Sequence, residues 1–303
     1  MEYKYHPETK EELKKLVKDE SIYLGDIDTS NITDMSHLFR KSTRKDFSGI
    51  EKWDTSNVTN MSWMFFGCHE FNQPIEFDTS KVTDMSYMFA GCGNFNQPLE
   101  LDTCKVKSMS WMFAGCHEFN QPLKFDTSNV RDMSWMFHEC YKFNQPVPFD
   151  TSKVTDMGYM FAGCREFNQP FEFDTSKVRN MLGMFEGCKE FNQPINFDTS
   201  KVTGRREMFI GCHNLPLETQ AKVELGISNV TRCEPGIALK DAEVLKVSDN
   251  YTALKKGNDT YIYSKEELNT RKELEEGDRV NLSWPEGAPS ATVTPVPTQK
   301  LAR

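Results

Sequence analysis

The chain has 303 residues, 27% of them charged, and a formal net charge of −9. That composition suits a folded, water-exposed protein and disfavours general binding to nucleic acid or to an anionic membrane. No run of about 18 apolar residues occurs, so no membrane span is expected.

The chain opens on "MEYKYHPETKEELKKLVKDES", which is charged and lacks the apolar core of a secretory signal. As the sequence stands it predicts a cytoplasmic location, with the cell surface by an unseen export route as the alternative. Thr9 followed by Glu12 fits a capping box, which predicts a helix over 10–19 with Leu13, Leu16 and Val17 on one face. Residues 1–25 would then cover the open first coil of the array that follows, as repeat ends require.

Residues 26–217 are built from a 24-residue unit, seen as "FDTSKVTDMSYMFAGCGNFNQPLE" at 77–100. Its Asp recurs at Asp54, Asp78, Asp102, Asp126, Asp150, Asp174 and Asp198, and its Cys at Cys68, Cys92, Cys116, Cys140, Cys164, Cys188 and Cys212. Repetition this strict predicts a solenoid of about eight coils, each stacked on the last. Within one unit, Met85, Met88, Phe89 and Cys92 are spaced i, i+3, i+4, i+7, the pattern of a short α or 3₁₀ segment with one face inward. "FNQPLEL" (95–101) alternates with period two, which predicts a short strand beginning at or after Pro98 and a parallel sheet formed coil to coil. The fold class expected is an α/β-type solenoid with a small all-β module at its C-terminal end.

The columns that stacking creates have their own chemistry. Asn72, Asn96, Asn120, Asn144, Asn168 and Asn192 align as an asparagine ladder whose amides can bond between coils. The Asp column is expected to relieve its repulsion through Asx turns. A calcium ladder needs more oxygen ligands per ion than one Asp supplies, so no metal is expected. The seven cysteines share one inward position and read as a ladder of small, buried, reduced thiols, without disulfide, zinc or redox use. No catalytic constellation and no cofactor motif are present, so an enzyme is not expected.

Two residues after the first Met of each unit, an outward position carries Trp63, Tyr87, Trp111, Trp135 and Tyr159, then Gly183 and Glu207, with His37 in the irregular first coil. Coils about 4.8 Å apart would make this an aromatic stripe about 19 Å long. It reads either as a protein-binding surface, for which Trp and Tyr are favoured, or as rings that staple one coil to the next. A carbohydrate stacking on the rings is a further possibility for a partner. Oligomeric state is open.

The unit "FDTSKVTDMSYMF" with "GC" and "FNQP" resembles the BspA-like leucine-rich-repeat surface proteins, in the branch with Mycoplasma-lipoprotein-type repeats. The resemblance covers about 26–217 and implies a leucine-rich-repeat-like right-handed coil and a role in adhesion or protein binding.

After Cys212 the texture changes. Residues 221–285 are β-rich runs punctuated by Asp-Asn, Gly-Asn and Glu-Gly, predicting strands near 242–248, 251–255, 259–263 and 279–284 in a small barrel or rolled sheet closed by Trp284. "GDRVNLSW" and the run before it resemble KfrB-like β modules of plasmid- and conjugation-associated bacterial proteins, which implies a mobile-element context. Residues 286–303 are rich in Pro, Ala and Thr and are expected to be a disordered tail. The leading expectation is a non-enzymatic protein-binding scaffold. The alternatives are a bacterial surface adhesin, or a mobile-element accessory protein acting through its C-terminal module.

Overall fold

The computed structural model describes residues 3–227, 230–248, 250–270 and 273–296. The chain divides into two units, Met1–Asn214 and Leu215–Arg303.

The first unit begins with α1, Lys10–Lys18. Thr9 Oγ1 accepts the Glu12 N–H at 3.2 Å, while the Glu12 carboxylate reaches one residue further back than a capping box would place it, to the Glu8 N–H. Leu13 and Val17 are buried. Beyond the last turn the buried guanidinium of Arg44 donates to the carbonyls of Val17, Asp19 and Ile22, which ties the helix to the first repeat. Lys10 Nζ also reaches Asp34 and Ser36 of that repeat.

From there each 24-residue repeat lies over the next. Isolated parallel bridges run from Asp34 through Asn60, Asp84, Ser108, Asp132, Asp156 and Asn180 to Gly204. The expected helical and strand segments inside the repeat are corrected: among the described residues no α-helix or strand lies between Lys52 and Leu217. The "MSYMFAGC" stretch is instead a chain of turns whose N–H groups alternate in direction. Tyr87, Phe89 and Gly91 donate to Ser110, Met112 and Ala114 of the following coil at 2.9, 2.9 and 2.6 Å. Met88, Ala90 and Cys92 donate back three residues, to Met85, Tyr87 and Phe89. A helix is excluded because Tyr87 and Gly91 hold φ of 58° and 76°, whereas every helical residue needs φ near −63°. The apolar spacing still buries Met85, Met88, Phe89 and Cys92 together, because the turns keep them on one side of the chain.

The "FNQPLEL" segment keeps its period-two burial, with Leu99 and Leu101 buried and Glu100 exposed, yet it forms no ladder. Pro98 has no N–H to give, and the Asn side chain takes over the link between coils. The Asn72 Oδ1 accepts the Asn96 backbone N–H at 2.9 Å and the Gln97 Nε2 at 3.1 Å, and the same pair of bonds recurs at Asn96, Asn120 and Asn144. Each Asn oxygen thus takes the backbone N–H of the next Asn and the side-chain amide of the Gln beside it, and the Asn side chains are not bonded to one another. Between these edges stand two columns of stacked phenylalanine. Phe65, Phe89 and Phe113 follow one another at 5.6 and 5.7 Å, and Phe71, Phe95 and Phe119 at 5.7 and 5.9 Å.

The second unit opens with α2, Leu217–Leu225, so the all-β expectation is corrected. Among the described residues seven strands follow: β1 Thr231–Arg232, β2 Ala238–Val247, β3 Tyr251–Lys256, β4 Asp259–Ser264, β5 Leu268–Thr270, β6 Arg279–Ser283 and β7 Ala291–Pro295. They form an open sheet in the order β1-β4-β3-β2-β6-β7-β5, not a barrel. Gly257 and Asn258 make the two-residue loop between β3 and β4, with Gly257 at φ 64° as such hairpins require. Asp249, expected in the β2–β3 turn, lies outside the described residues. One core gathers Leu239, Val244, Leu254, Tyr263 and Leu282 with Trp284, whose Nε1 donates to the Ala288 carbonyl. A second gathers Ala221 and Leu225 of α2 with Tyr251, Ala253 and Ile262. The tail expectation is corrected for β7, which pairs Leu282 with Val293 and buries Ala291 and Val293 between exposed threonines. Alternation over four residues was hidden by a Pro-, Ala- and Thr-rich composition. Residues 297–303 lie outside the described residues.

Candidate binding surface along the aromatic stack

The backbone of the repeat decides where the five outward rings stand. Trp63, Tyr87, Trp111, Trp135 and Tyr159 all hold left-handed φ, between 54° and 61°. A bulky residue is uncommon there. Gly183 and Glu207 keep the same conformation at φ 57° and 59° without an aromatic ring, as does His37 at 58°. The turn therefore does not depend on the ring.

Each ring is half-buried and lies face to face with the next. His37 stacks on Trp63 at 5.6 Å, Trp63 on Tyr87 at 3.8 Å and Tyr87 on Trp111 at 5.3 Å. Trp111 then stacks on Trp135 at 4.4 Å and Trp135 on Tyr159 at 4.1 Å, with planes within 23° throughout. Tyr159 ends the column by lying over Gly183: a Cβ added to that glycine would sit 2.3 Å from the Tyr159 ring. Side-chain loss at 183 is thus the room that Tyr159 occupies. From Trp63 to Trp135 both faces of every ring are covered, so the surface offers ring edges.

The sequence reading did not place His138 at the stack. Its ring stands edge-on to Trp135 at 4.6 Å, and its Nδ1 is buried without a hydrogen-bond partner among the described residues. Burial pushes its titration below the ordinary histidine value. A second, shorter stack runs alongside: His117 lies on Tyr141 at 4.6 Å and the Arg165 guanidinium lies 4.1 Å from the Tyr141 centroid. The signal for it was in the sequence, in the column one residue after each Cys, which reads as loop until stacking is known. An open groove of about 500 Å³ separates the two stacks, lined by Trp135, His138, Tyr159, Tyr141, Arg165 and Glu186.

The remaining columns hold the array together. All seven ladder cysteines are buried and reduced. Each thiol donates to a carbonyl of the preceding coil, as Cys116 does to Phe89 at 3.1 Å and Cys140 to Phe113 at 3.0 Å. Burial pushes up the thiols of Cys92, Cys116, Cys140, Cys164 and Cys188, and that of Cys68 to about 11, which makes them poor nucleophiles. The Asp column forms Asx turns, with Asp78 Oδ1 accepting the Ser80 N–H at 3.0 Å and Asp126 Oδ1 that of Ser128 at 2.9 Å. Hydrogen bonds from Ser80 and Ser128 hold both carboxyls below the ordinary Asp value. From Asp54 to Asp174 the Thr beside each Asp is buried and donates forward, as Thr79 does to the Asp102 carbonyl at 2.8 Å.

Among the described residues no group of three or more His, Cys, Asp or Glu could hold a metal ion. No described helix is long and apolar enough to cross a membrane. No curated protein and no solved structure matches the chain. A family model described as "Mycoplasma protein of unknown function, DUF285" matches four overlapping segments, 11–121, 75–148, 99–172 and 147–236. The matched segments step along the tandem repeats and end at residue 236, before β2. Together they span 11–236, most of the chain, and the chain therefore belongs to this repeat family.

Proposed function

We propose that the chain is a non-enzymatic protein-binding scaffold whose repeats form a right-handed, leucine-rich-repeat-like solenoid, and that the edge of the aromatic stack is its docking surface. One observation carries this reading. Five bulky rings occupy a left-handed backbone position that Gly183 and Glu207 fill equally well, so the rings are surplus to the turn. They are also fixed in place by one another, which lowers the entropy a partner must remove on binding. Trp and Tyr are the residues most enriched at such contacts. The test replaces Trp111 and Trp135 together by Gly, the residue the array itself uses at 183. Partner capture from native lysate should fall to background while the unfolding transition stays cooperative. Undiminished capture by a folded double variant would refute the site.

A surface adhesin is the second reading, supported by the resemblance of the repeat to BspA-like surface proteins. Protease shaving of intact cells separates the two. Loss of the protein on shaving favours the adhesin; survival in the soluble fraction favours an intracellular scaffold.

A further inference from the structure

In a repeat array the other copies are the control for each copy. The column Thr59, Thr83, Thr155 and Thr203 shows what this position does for the fold. Each Thr Oγ1 donates to the carbonyl of the same column in the preceding coil, at 3.1 to 3.4 Å. At 107, 131 and 179 the Thr is replaced by Lys, Arg and Arg, which gives up that bond, and only Lys107 and Arg131 fall on adjacent coils. The backbone keeps them in register: the Arg131 N–H donates to the Lys107 carbonyl at 3.0 Å. Two like charges are thus set on adjacent coils, an unfavourable pairing in isolation.

The substitution is not alone. Residues 102–110 read "DTCKVKSMS" where 78–86 read "DTSKVTDMS". The same short stretch gains a cation at Lys107, loses an acid at Ser108 and exchanges Ser for Cys104. Cys104 and Lys107 border one groove of about 370 Å³, around which Lys105, Lys107, Arg131 and Lys153 converge from three successive coils. All four are exposed, and among the described residues none has a carboxylate within 4.0 Å. Asp102 acts on Lys105, and Asp126 and Asp150 act on Lys153, at longer range. The floor is fixed by a relay across the coils. Lys153 Nζ donates to Asn129 Oδ1 at 2.8 Å, and Asn129 Nδ2 donates to the Cys104 carbonyl at 2.8 Å.

We propose that this groove binds a phosphoryl group, carried either by a small molecule or by a phosphorylated side chain of a protein. Arg131 supplies the planar fork and Lys105 and Lys107 the point charges that a phosphate dianion recruits. Nucleic acid fits less well, because the exposed Asp column and a net charge of −9 lie along any longer track. The site is distinct from the aromatic stack and stands or falls independently of it.

Cys104 reports on the groove, since it is the one partly exposed cysteine and the other eight are buried. The full chain is alkylated with neutral iodoacetamide and the label located by mass spectrometry, with Cys104→Ser as the control for position. Pyrophosphate at up to about 10 mM should slow labelling at Cys104 several-fold beyond sodium chloride of equal ionic strength, and should broaden its own ³¹P resonance on binding. In K107T/R131T, which restores the Thr found at 59, 83, 155 and 203 and so keeps the fold, affinity should fall about tenfold or more while the unfolding midpoint holds or rises. Protection by a phosphoserine peptide but not by pyrophosphate assigns the phosphate to a protein, and the reverse assigns it to a small molecule. Equal protection by sodium chloride or by a glutamate-rich peptide, or binding unchanged in K107T/R131T, overturns the proposal.

Discussion

Replacing Trp135 tests the left-handed stack most directly. The ring lies 4.4 Å from Trp111 and 4.1 Å from Tyr159, with His138 edge-on at 4.6 Å. Aromatic pairs contribute about 0.5–1.5 kcal/mol each, so three contacts amount to about 2–4 kcal/mol. Trp135→Gly loses these contacts, but it relieves a left-handed cost of about 1–2 kcal/mol and adds about 0.5–1 kcal/mol of unfolded-state entropy. The net loss should be about 1–3 kcal/mol, below the ~3–5 kcal/mol of a fully buried Trp truncation. Trp135→Ala keeps the left-handed cost and should be about 1 kcal/mol less stable than the Gly variant. That ordering reverses the usual preference for Ala over Gly. Urea unfolding followed by circular dichroism, with slopes compared to detect any loss of cooperativity, measures both. An Ala variant as stable as the Gly variant, or more so, would refute the backbone argument.

Three further outcomes follow from the ladders. Cys116→Ala should cost about 1–2 kcal/mol in the same assay, by removing a buried thiol and its bond to the Phe89 carbonyl. Cys116→Ser should cost less than a buried hydroxyl ordinarily does, because that carbonyl is there to receive it. Asn120→Ala removes the acceptor of both the Asn144 N–H and the Gln145 Nε2 and should cost about 1–3 kcal/mol, whereas Asn120→Asp should keep the acceptor and most of the stability. The Asp column sets the acid limb. Asp78, Asp102, Asp126 and Asp150 titrate below the ordinary Asp value in the folded chain, so they favour folding above about pH 4 and lose that contribution as pH falls through their lowered values. The urea midpoint should therefore decline from about pH 4 downward, and a midpoint that rises on acidification would contradict the Asx turns.

What the sequence revealed and what it hid divide along the period of the repeat. A 24-residue spacing places equivalent residues over one another whatever the local backbone does. The Cys, Asn and Asp columns and the inward set Met85, Met88, Phe89 and Cys92 were therefore legible. The local conformation was not. The i, i+3, i+4, i+7 spacing fits a helix and a chain of turns equally, and what distinguishes them is the left-handed φ of Tyr87 and Gly91 and the N–H groups that Tyr87, Phe89 and Gly91 turn toward the next coil. Those bonds depend on the next coil, which a reading of one unit does not contain. The stripe was legible as a column of rings, but its face-to-face geometry was not, because the left-handed φ that aims each ring leaves no trace in a Trp or Tyr. Gly183 was the one hint, and its meaning became clear only with Tyr159 lying over it.

The same period makes the strongest demand on the architecture. Beyond the irregular first coil, backbone bonds between coils join residues 23 to 25 apart in steady register, as Tyr87 to Ser110 and Lys107 to Thr83 do. Removing Asp126–Phe149, one complete unit, should let each ladder close on the coil beyond. The Gly158 and Ala162 carbonyls would receive the Trp111 and Gly115 N–H groups in place of Ser134 and His138, Cys164 would meet the Phe113 carbonyl, and Tyr159 would lie on Trp111. Nearest-neighbour stacking predicts a folded chain that unfolds cooperatively, with a thiol ladder shorter by one and Cys104 still partly exposed. Removing 126–148, one residue less, shifts every inward side chain past its column. Met157 and Phe161 then lose their places among the buried residues, and the downstream coils have no carbonyls in line. That second deletion should expose thiols from Cys164 onward to alkylation in native buffer. If both deletions gave equally protected thiols, the coils would not be held by their registered bonds, and the stacking that supports both proposed surfaces would have to be abandoned.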